Sequence, residues 1–408
     1  MRVLFVSNLY PPNQVGGYEV LCADVAARFV RKGHQVGVLT SSMGGRLCRA
    51  PGQHIVQGLR LLLGETIYLP FAGSASRQAV IHSDNAMALS RTVAAMRPDV
   101  IFCWSLYGLG LPFWKSVTQA GVPVTSMLTD NWLIDMLRPG FLPRYYEALL
   151  GGGDAESVQH DGDIVPMRST AVFGAAYMQR LYRQAGLAPS QSVVVHNGVD
   201  LPPPRPLPQR DRLCQQGVLR LLFAGRMVRI KGVHTAIEAL GRLPQSIPAE
   251  LTIIGDASDS DYAAELRAIA ERLGCAARVH VAPPVPVADL PLLFDSHDIY
   301  LFPSLYEPFS LTLIHALAAG IPTIASATGG NVEIVQQNET GLLFPAGDVE
   351  ALASAITRLA QDDALRQHLA ERASLRARDF TMSRMVDAIE AHVARIAHSA
   401  APADAAVA

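Results

Sequence analysis

The chain has 408 residues, half of them apolar and 17% charged, enough for two or three domains with buried cores and too apolar for a disordered chain. A formal net charge of −2 supplies no polycationic surface, which argues against a general nucleic-acid binder. The cysteines, at 22, 48, 103, 214 and 275 with no C-x-x-C, indicate neither a disulfide framework nor a zinc site, and no run reaches the roughly 18 apolar residues of a membrane span.

In chain order, Val3-Leu4-Phe5-Val6 is a short apolar run. A loop bearing proline and glycine follows from Tyr10 to Gly17, then a helical stretch from Glu19 to Val30 that ends at Gly33. His34 to Thr40 resumes as a strand, and the alternation recurs at Val100 to Cys103, Val122 to Leu128 and Val193 to His196. Strands alternating with helices imply parallel α/β architecture. Residues 139–168, with Gly151-Gly152-Gly153 and little periodicity, read as a surface excursion. Because the chain opens directly on a strand and not on a charged leader, a cytoplasmic location is expected.

Leu201 to Pro208 carries five prolines in seven positions, which favours an extended, semi-rigid connector and marks a domain boundary. Beyond residue 217 the pattern restarts: a strand at Leu219 to Ala224, a loop, a helix from Val233 to Leu240 and a strand from Leu251 to Ile254. The expected division is a domain over 1–200, a linker over 201–217, a second domain over 218–380, a terminal helix over 381–398 packing back on the first domain, and a frayed tail over 399–408.

Two segments of the second half carry chemistry. Gly225-Arg226-Met227-Val228-Arg229-Ile230-Lys231-Gly232 lies just past the strand ending at Ala224, where cationic heads reach a ligand at a sheet's carboxyl edge. Lysine occurs only at 32, 115 and 231, so its use here is selective. Further on, Ser310 can cap a helix from Leu311 to Ala319, with Gly320 as its stop. The amides of Phe309, Ser310 and Leu311 would then favour a phosphate oxygen, and Glu307 is placed to accept hydrogen bonds from sugar hydroxyls. Two D-x-D triplets, Asp161-Gly162-Asp163 and Asp259-Ser260-Asp261, read as surface loops, and no metal is needed where the cations already neutralise a diphosphate.

The order of motifs resembles the family 4 retaining glycosyltransferases of the GT-B fold. Pro11-Pro12 with Gly16-Gly17-Tyr18-Glu19 is similar to the amino-terminal glycine loop, and Asn197-Gly198-Val199-Asp200 to the exit from the first domain. Gly329-Gly330 with Glu333-Ile334-Val335, Thr340-Gly341-Leu342-Leu343-Phe344-Pro345, and Phe380-Thr381 follow the closing motifs. The resemblance implies two Rossmann-like, doubly wound domains facing each other across a cleft, with hinge motion between them. It implies that Arg226 and Lys231 bind the diphosphate of a UDP- or GDP-type sugar donor, and that Gly16 and Gly17 form a tight glycine turn approaching the donor phosphate. A base pocket is expected near Val281 to Val285, a βα loop that can offer backbone groups to a nucleobase edge. The family's Glu-x7-Glu pair is broken, since Glu307 is followed by His315, which is expected to offer the ribose a single contact. The family often has a histidine where Thr129 stands; the neighbouring Asp130 can orient the acceptor hydroxyl or the sugar's 6-hydroxyl, or cap a helix.

Transfer in this family is described as front-face, the leaving diphosphate taking the acceptor's proton, so no cofactor and no protein nucleophile are required. The expected activity is transfer of a hexosyl group to a hydroxyl of a glycan, a lipid-linked acceptor or a small metabolite, with peripheral membrane association at the inner face compatible with a lipid-linked acceptor. The oligomeric state is open. Alternatives on the same fold are an NDP-sugar epimerase, a sugar phosphorylase, or a non-catalytic binder of sugar nucleotides or glycans. His34, His54, His82, His160 and His196 are assigned no role.

Overall fold

The computed structural model describes residues 1–64, 69, 71–203, 207, 217–256 and 260–399. Most of the proline-rich connector, Cys214, Asp259 and the tail beyond Ser399 lie outside the described residues. The first half supplies β1 (Arg2–Val6), β2 (Gln35–Ser41), β3 (Gln53–Leu59), β4 (Val100–Cys103), β5 (Val124–Leu128), β6 (Val165–Pro166), β7 (Thr170–Phe173), β8 (Leu187–Ala188) and β9 (Ser192–Val194). Seven of these form one parallel sheet in the order β3-β2-β1-β4-β5-β7-β9, while β6 and β8 pair separately. The second half supplies β10 (Leu219–Ala224), β11 (Ala249–Ile254), β12 (Val279–Ala282), β13 (Ile299–Phe302), β14 (Thr323–Ser326) and β15 (Leu342–Phe344), a parallel sheet in the order β12-β11-β10-β13-β14-β15. The doubly wound α/β architecture expected from the strand–helix alternation is thus present twice.

By contacts the chain divides into two compact units. Met1–Ala148, Gly153–Val195 and the chain from Met385 make one; Leu149–Gly152 and His196–Arg384 make the other.

Strands buried on both faces need helices above and below, and their composition reflects this. Val3, Leu4, Phe5 and Val6 of β1 have no exposed surface, and neither do Leu221, Leu222 and Phe223 of β10. Phe5 packs on Phe29 edge-on at 5.7 Å and against Phe102 at 5.3 Å; truncating such a ring to alanine costs about 3–5 kcal/mol. Both sheets repeat one polar clasp at the base of the central strand. Arg2 N–H and Nη2 reach Asp99 at 2.8 and 2.7 Å, and Arg220 N–H and Nη2 reach Asp298 at 2.8 and 2.9 Å. Each aspartate immediately precedes the neighbouring strand, so the clasp fixes β1 to β4 and β10 to β13.

Those two pairs matter because the strand order reverses there. In a doubly wound sheet the connections leave to opposite faces at the reversal and open a crevice at the strands' carboxyl ends. In the first unit that crevice lies beyond β1 and β4, and in the second beyond β10 and β13.

The surface excursion expected over 139–168 contains a helix, Phe141–Leu150. Its buried stripe is only Phe141, Leu142 and Tyr145, interrupted by Pro143, too short for sequence periodicity to reveal. The final helix, Met382–Ser399, lies on the first unit from Met385 onward. Lys32 Nζ bonds Asp387 and Glu390, each at 2.7 Å, and His34 Nε2 meets Glu390 at 2.6 Å. Among the described residues no helix is long and apolar enough to cross a membrane.

Candidate active site

In the second unit, β10 ends at Ala224 and the chain turns through Arg226 into a short 3-10 turn, Arg229–Lys231. Gly232 closes this turn at φ +67°, and a Cβ there would lie 2.0 Å from the Pro303 carbonyl oxygen, so the position demands glycine for both conformation and space. The loop after β13 is tied to it: Leu305 N–H donates to the Ile230 carbonyl at 2.8 Å. The two sides of the crevice are therefore one hydrogen-bonded unit.

This arrangement brings Lys231 to Glu307, Nζ to Oε2 at 2.6 Å, with only 17% and 9% of the side chains exposed. Lys231 also lies 6.0 Å from the centre of the Phe302 ring. Arg226, by contrast, is exposed and has no ion pair among the described residues, whereas Arg229 is held by Glu265 and lies 5.6 Å over the Tyr262 ring. Two cations three positions apart thus have different status: one is structural and one is available.

Ser310 caps the helix Leu311–Ala318, its Oγ accepting from Leu313 N–H at 3.1 Å. The N–H groups of Phe309, Ser310 and Leu311 donate to nothing among the described residues. Three open donors at the positive end of a helix can receive an anion's oxygens. The loop before the cap is braced by Gly329 and Gly330, which pack on it: Gly330 N–H donates to the Glu307 carbonyl at 2.9 Å. A Cβ at Gly329 would stand 2.0 Å from that oxygen, and one at Gly330 would stand 2.2 Å from the Pro308 oxygen.

His315 occupies the helix face that is partly open, with Leu311 and Ala318, while Leu313, Ile314, Ala316 and Leu317 are buried. Its ring makes no hydrogen bond among the described residues, and burial pushes its pKa down, which favours the neutral imidazole. The loop expected over Val281 to Val285 begins later than expected: Val281, 55% exposed, and Ala282 end β12, and Val285 is half-buried in the loop that follows. Asp161 of the first D-x-D is a surface carboxylate paired with Arg144 at 2.8 Å.

In the first unit, the helix Gly17–Arg31 starts at the crevice beyond β1. Here one expectation is corrected. Gly16 is extended at φ −155°, with open space where a Cβ would project, so no tight glycine turn exists there. Its N–H is also engaged, donating to Glu19 Oε2 at 3.0 Å, which leaves the amides of Gly17 and Tyr18 as the donors at this helix start. Asp130 is half-buried just past β5, its Oδ1 accepting from Trp132 N–H at 3.2 Å. Desolvation is the main cause that pushes its carboxyl up to about 7, with the Trp132 N–H opposing and the Glu19 carboxylate reinforcing. Tyr182 Oη–H donates to the Asp130 carbonyl at 3.1 Å, and Tyr18 Oη–H to that of Met127 at 2.6 Å, which fixes the segment around the buried Thr129.

Sequence reasoning missed His196. β9 stops at Val194, so this residue lies beyond the strand, with its ring on Phe309 and its Nε2 2.9 Å from Glu333 Oε2. Nothing in the local pattern signals those partners, which are more than a hundred residues away.

Residues 15–202 match the model of glycosyltransferase family 4, and residues 211–376 that of glycosyl transferases group 1. A glycogen synthase of Mycobacterium tuberculosis is 27% identical over 392 residues, covering 92% of this chain and 90% of that protein. A D-inositol 3-phosphate glycosyltransferase of Salinispora arenicola is 33% identical over 219 residues, 49% of each chain. Among solved structures, sucrose-phosphate synthase of Thermosynechococcus elongatus superposes with a TM-score of 0.71 at 20% identity, covering 98% of this chain and 99% of that one. Anabaena HepE in complex with UDP-glucose superposes with 0.68 at 20% identity, covering 97% and 100%.

Proposed function

We propose that this chain, a glycosyltransferase of the GT-B fold, moves a hexosyl group from a nucleoside-diphosphate sugar to a hydroxyl of a glycan, lipid or small metabolite, with retention at the anomeric carbon. One observation carries the reading. The strand reversal of the second sheet holds a helix start with three open amides beside the Lys231–Glu307 pair and the exposed Arg226, which has no ion pair among the described residues. A diphosphate needs cations and N–H donors, and a sugar needs an ionised acceptor for its hydroxyls; this crevice has both.

In the proposed step the bond between the sugar's anomeric carbon and the diphosphate oxygen breaks while the acceptor oxygen bonds that carbon on the same face. The acceptor's proton passes to the departing phosphate oxygen. Arg226 and Lys231 lower the barrier by stabilising the charge that grows on the leaving group, where removal of one preorganised donor typically costs about 3 kcal/mol. Glu307 orients the sugar, Phe309, Ser310 and Leu311 offer main-chain N–H groups, and His315 takes one ribose hydroxyl as a neutral imidazole. Val285 borders the base. Asp130, with its carboxyl pushed up to about 7, suits a group that orients an acceptor or sugar hydroxyl near neutral pH.

A UDP-type donor is the first to test, since HepE is seen with UDP-glucose. Melting of the protein would be followed with UDP-, GDP-, ADP- and dTDP-sugars, because a ligand that binds only the native state raises the midpoint. The donor that shifts it would then be supplied with candidate acceptors, and the product's anomeric configuration read by NMR. An inverted product removes the retaining mechanism, and undiminished turnover by Arg226→Ala removes the assignment of the site.

A further inference from the structure

His196 sits between the two loops that build the donor crevice. One ring face lies parallel to Phe309, with centroids 5.2 Å apart and planes at 11°. Its Nε2 donates to Glu333 Oε2 at 2.9 Å. Phe309 belongs to the loop that presents the open amides, and Glu333 follows Gly329-Gly330, the segment packed on that loop's carbonyls. A single imidazole therefore spans both.

The assembly beneath it is firmly held. Phe380 meets His196 edge-on at 5.5 Å and Phe309 at 5.7 Å. The Arg376 guanidinium lies 4.8 Å over Phe380 while its Nη2 donates to the Glu333 carbonyl at 2.7 Å. Three residues beyond His196, Val199 N–H donates to the Phe380 carbonyl at 3.0 Å and Met382 N–H to the Val199 carbonyl at 2.9 Å. A Cβ on Gly198 would stand 2.5 Å from the Thr381 oxygen, so the backbone that carries His196 has little freedom to shift. Imidazole suits the place because it combines an aromatic face with a ring donor; an aliphatic chain offers neither, and an amide or a phenyl ring offers one.

We infer that His196 is a positioning residue for donor binding: it clamps Phe309 from its ring face and Glu333 from its ring edge, and so sets the Phe309–Leu311 amides where a diphosphate meets them. This rests on the donor reading above. His196 touches no reacting atom in the scheme, so its loss should act on donor affinity before the chemical step.

The test uses the full chain with UDP-glucose and GDP-mannose as probes, measuring donor KM, kcat and melting for wild type, His196→Ala, His196→Gln and His196→Phe. His196→Ala should raise donor KM about tenfold or more, the weight of one stacking contact and one charge-assisted hydrogen bond, with kcat much less affected. Gln restores the bond to Glu333 and Phe the stacking, so each should recover part of the affinity. Should His196→Ala fail to fold, the graded KM of the Gln and Phe variants carries the same comparison. A folded Ala variant with wild-type KM overturns the positioning role, as does a loss confined to kcat. If wild type itself neither binds nor transfers from either probe or from any other UDP-, GDP-, ADP- or dTDP-sugar, the donor reading fails and takes this inference with it; a turning-over wild type matched by all three variants sinks the inference alone.

Discussion

Lys231 Nζ lies 2.6 Å from Glu307 Oε2, so the cation proposed for phosphate and the carboxylate proposed for sugar hydroxyls are each other's counter-ion. Both are largely buried, and breaking a buried pair strands the remaining charge. Lys231→Met is therefore expected to lower stability by roughly 3 kcal/mol, whereas Arg226→Met, at an exposed position with no ion pair among the described residues, should change it by less than about 0.5 kcal/mol. Both should lose transfer by about 100-fold or more if both serve the leaving group. Melting curves beside kcat measurements separate the two effects; equal stability losses would contradict the geometry.

Asp130 gives a pH signature. Its carboxyl is pushed up to about 7, chiefly by desolvation, against about 3.9 in an unfolded chain. Between those values the native state binds more protons than the unfolded one, so this group's stabilising contribution is present below about 4 and is lost as pH rises through about 7. Asp130→Asn cannot titrate, and its melting temperature relative to wild type should climb between pH 4 and pH 8. If the ionised carboxylate orients a hydroxyl, wild-type transfer rises through pH 7 and the variant loses that limb. A variant with an unchanged pH profile would remove Asp130 from the reaction.

Much of this was legible beforehand because it rests on local rules. Apolar runs such as Leu219 to Ala224 became strands as read, and Ser310 caps its helix because a serine before an apolar stretch, with Gly320 and Pro322 beyond it, leaves few other options. The helix Ala75–Met96 gave no such signal. Its buried stripe is Ile81, Asn85, Leu89 and Thr92, half polar, and Asn85 is buried because its amide bonds both the N–H and the carbonyl of Arg60, at 2.8 and 2.9 Å. His196 was opaque for the same reason, since long-range partners, not its neighbours in sequence, define it. Gly16 shows the reverse error, in which a glycine was read as a turn although the backbone there is extended.

The glycines themselves are testable against one another. Gly329→Ala would put a methyl 2.0 Å from the Glu307 oxygen at a backbone φ of +54°, so the donor loop must move. A loss of about 1–3 kcal/mol, typical of overpacking, and weaker donor binding are expected together. Gly16→Ala meets open space in an extended conformation and should leave stability within about 0.5 kcal/mol. Any fall in its activity then reports a ligand passing close to that backbone. Calorimetry with donor titration distinguishes these cases, and a destabilised Gly16→Ala would contradict the extended geometry.

His392 is expected to make the attachment of the final helix sensitive to acid. Arg395 Nη2, which can only donate, faces Nδ1 at 2.9 Å, so the ring's proton sits on Nε2, which lies 3.2 Å from Thr125 Oγ1 and 3.5 Å from Thr170 Oγ1. Desolvation first, and the Arg395 guanidinium second, push its pKa down to about 4. The neutral ring's contribution to stability is thus complete above its unfolded value of about 6.5 and is lost as pH falls through about 4. His392→Gln keeps a donor for the threonines but takes no proton, so its melting temperature should fall less than that of wild type between pH 6.5 and pH 4. Hydrogen exchange over 385–399 should locate the difference, with wild-type protection in that helix lost first as the solution is acidified. Parallel curves for the two proteins would mean that His392 stays neutral until other groups have already unfolded the first unit.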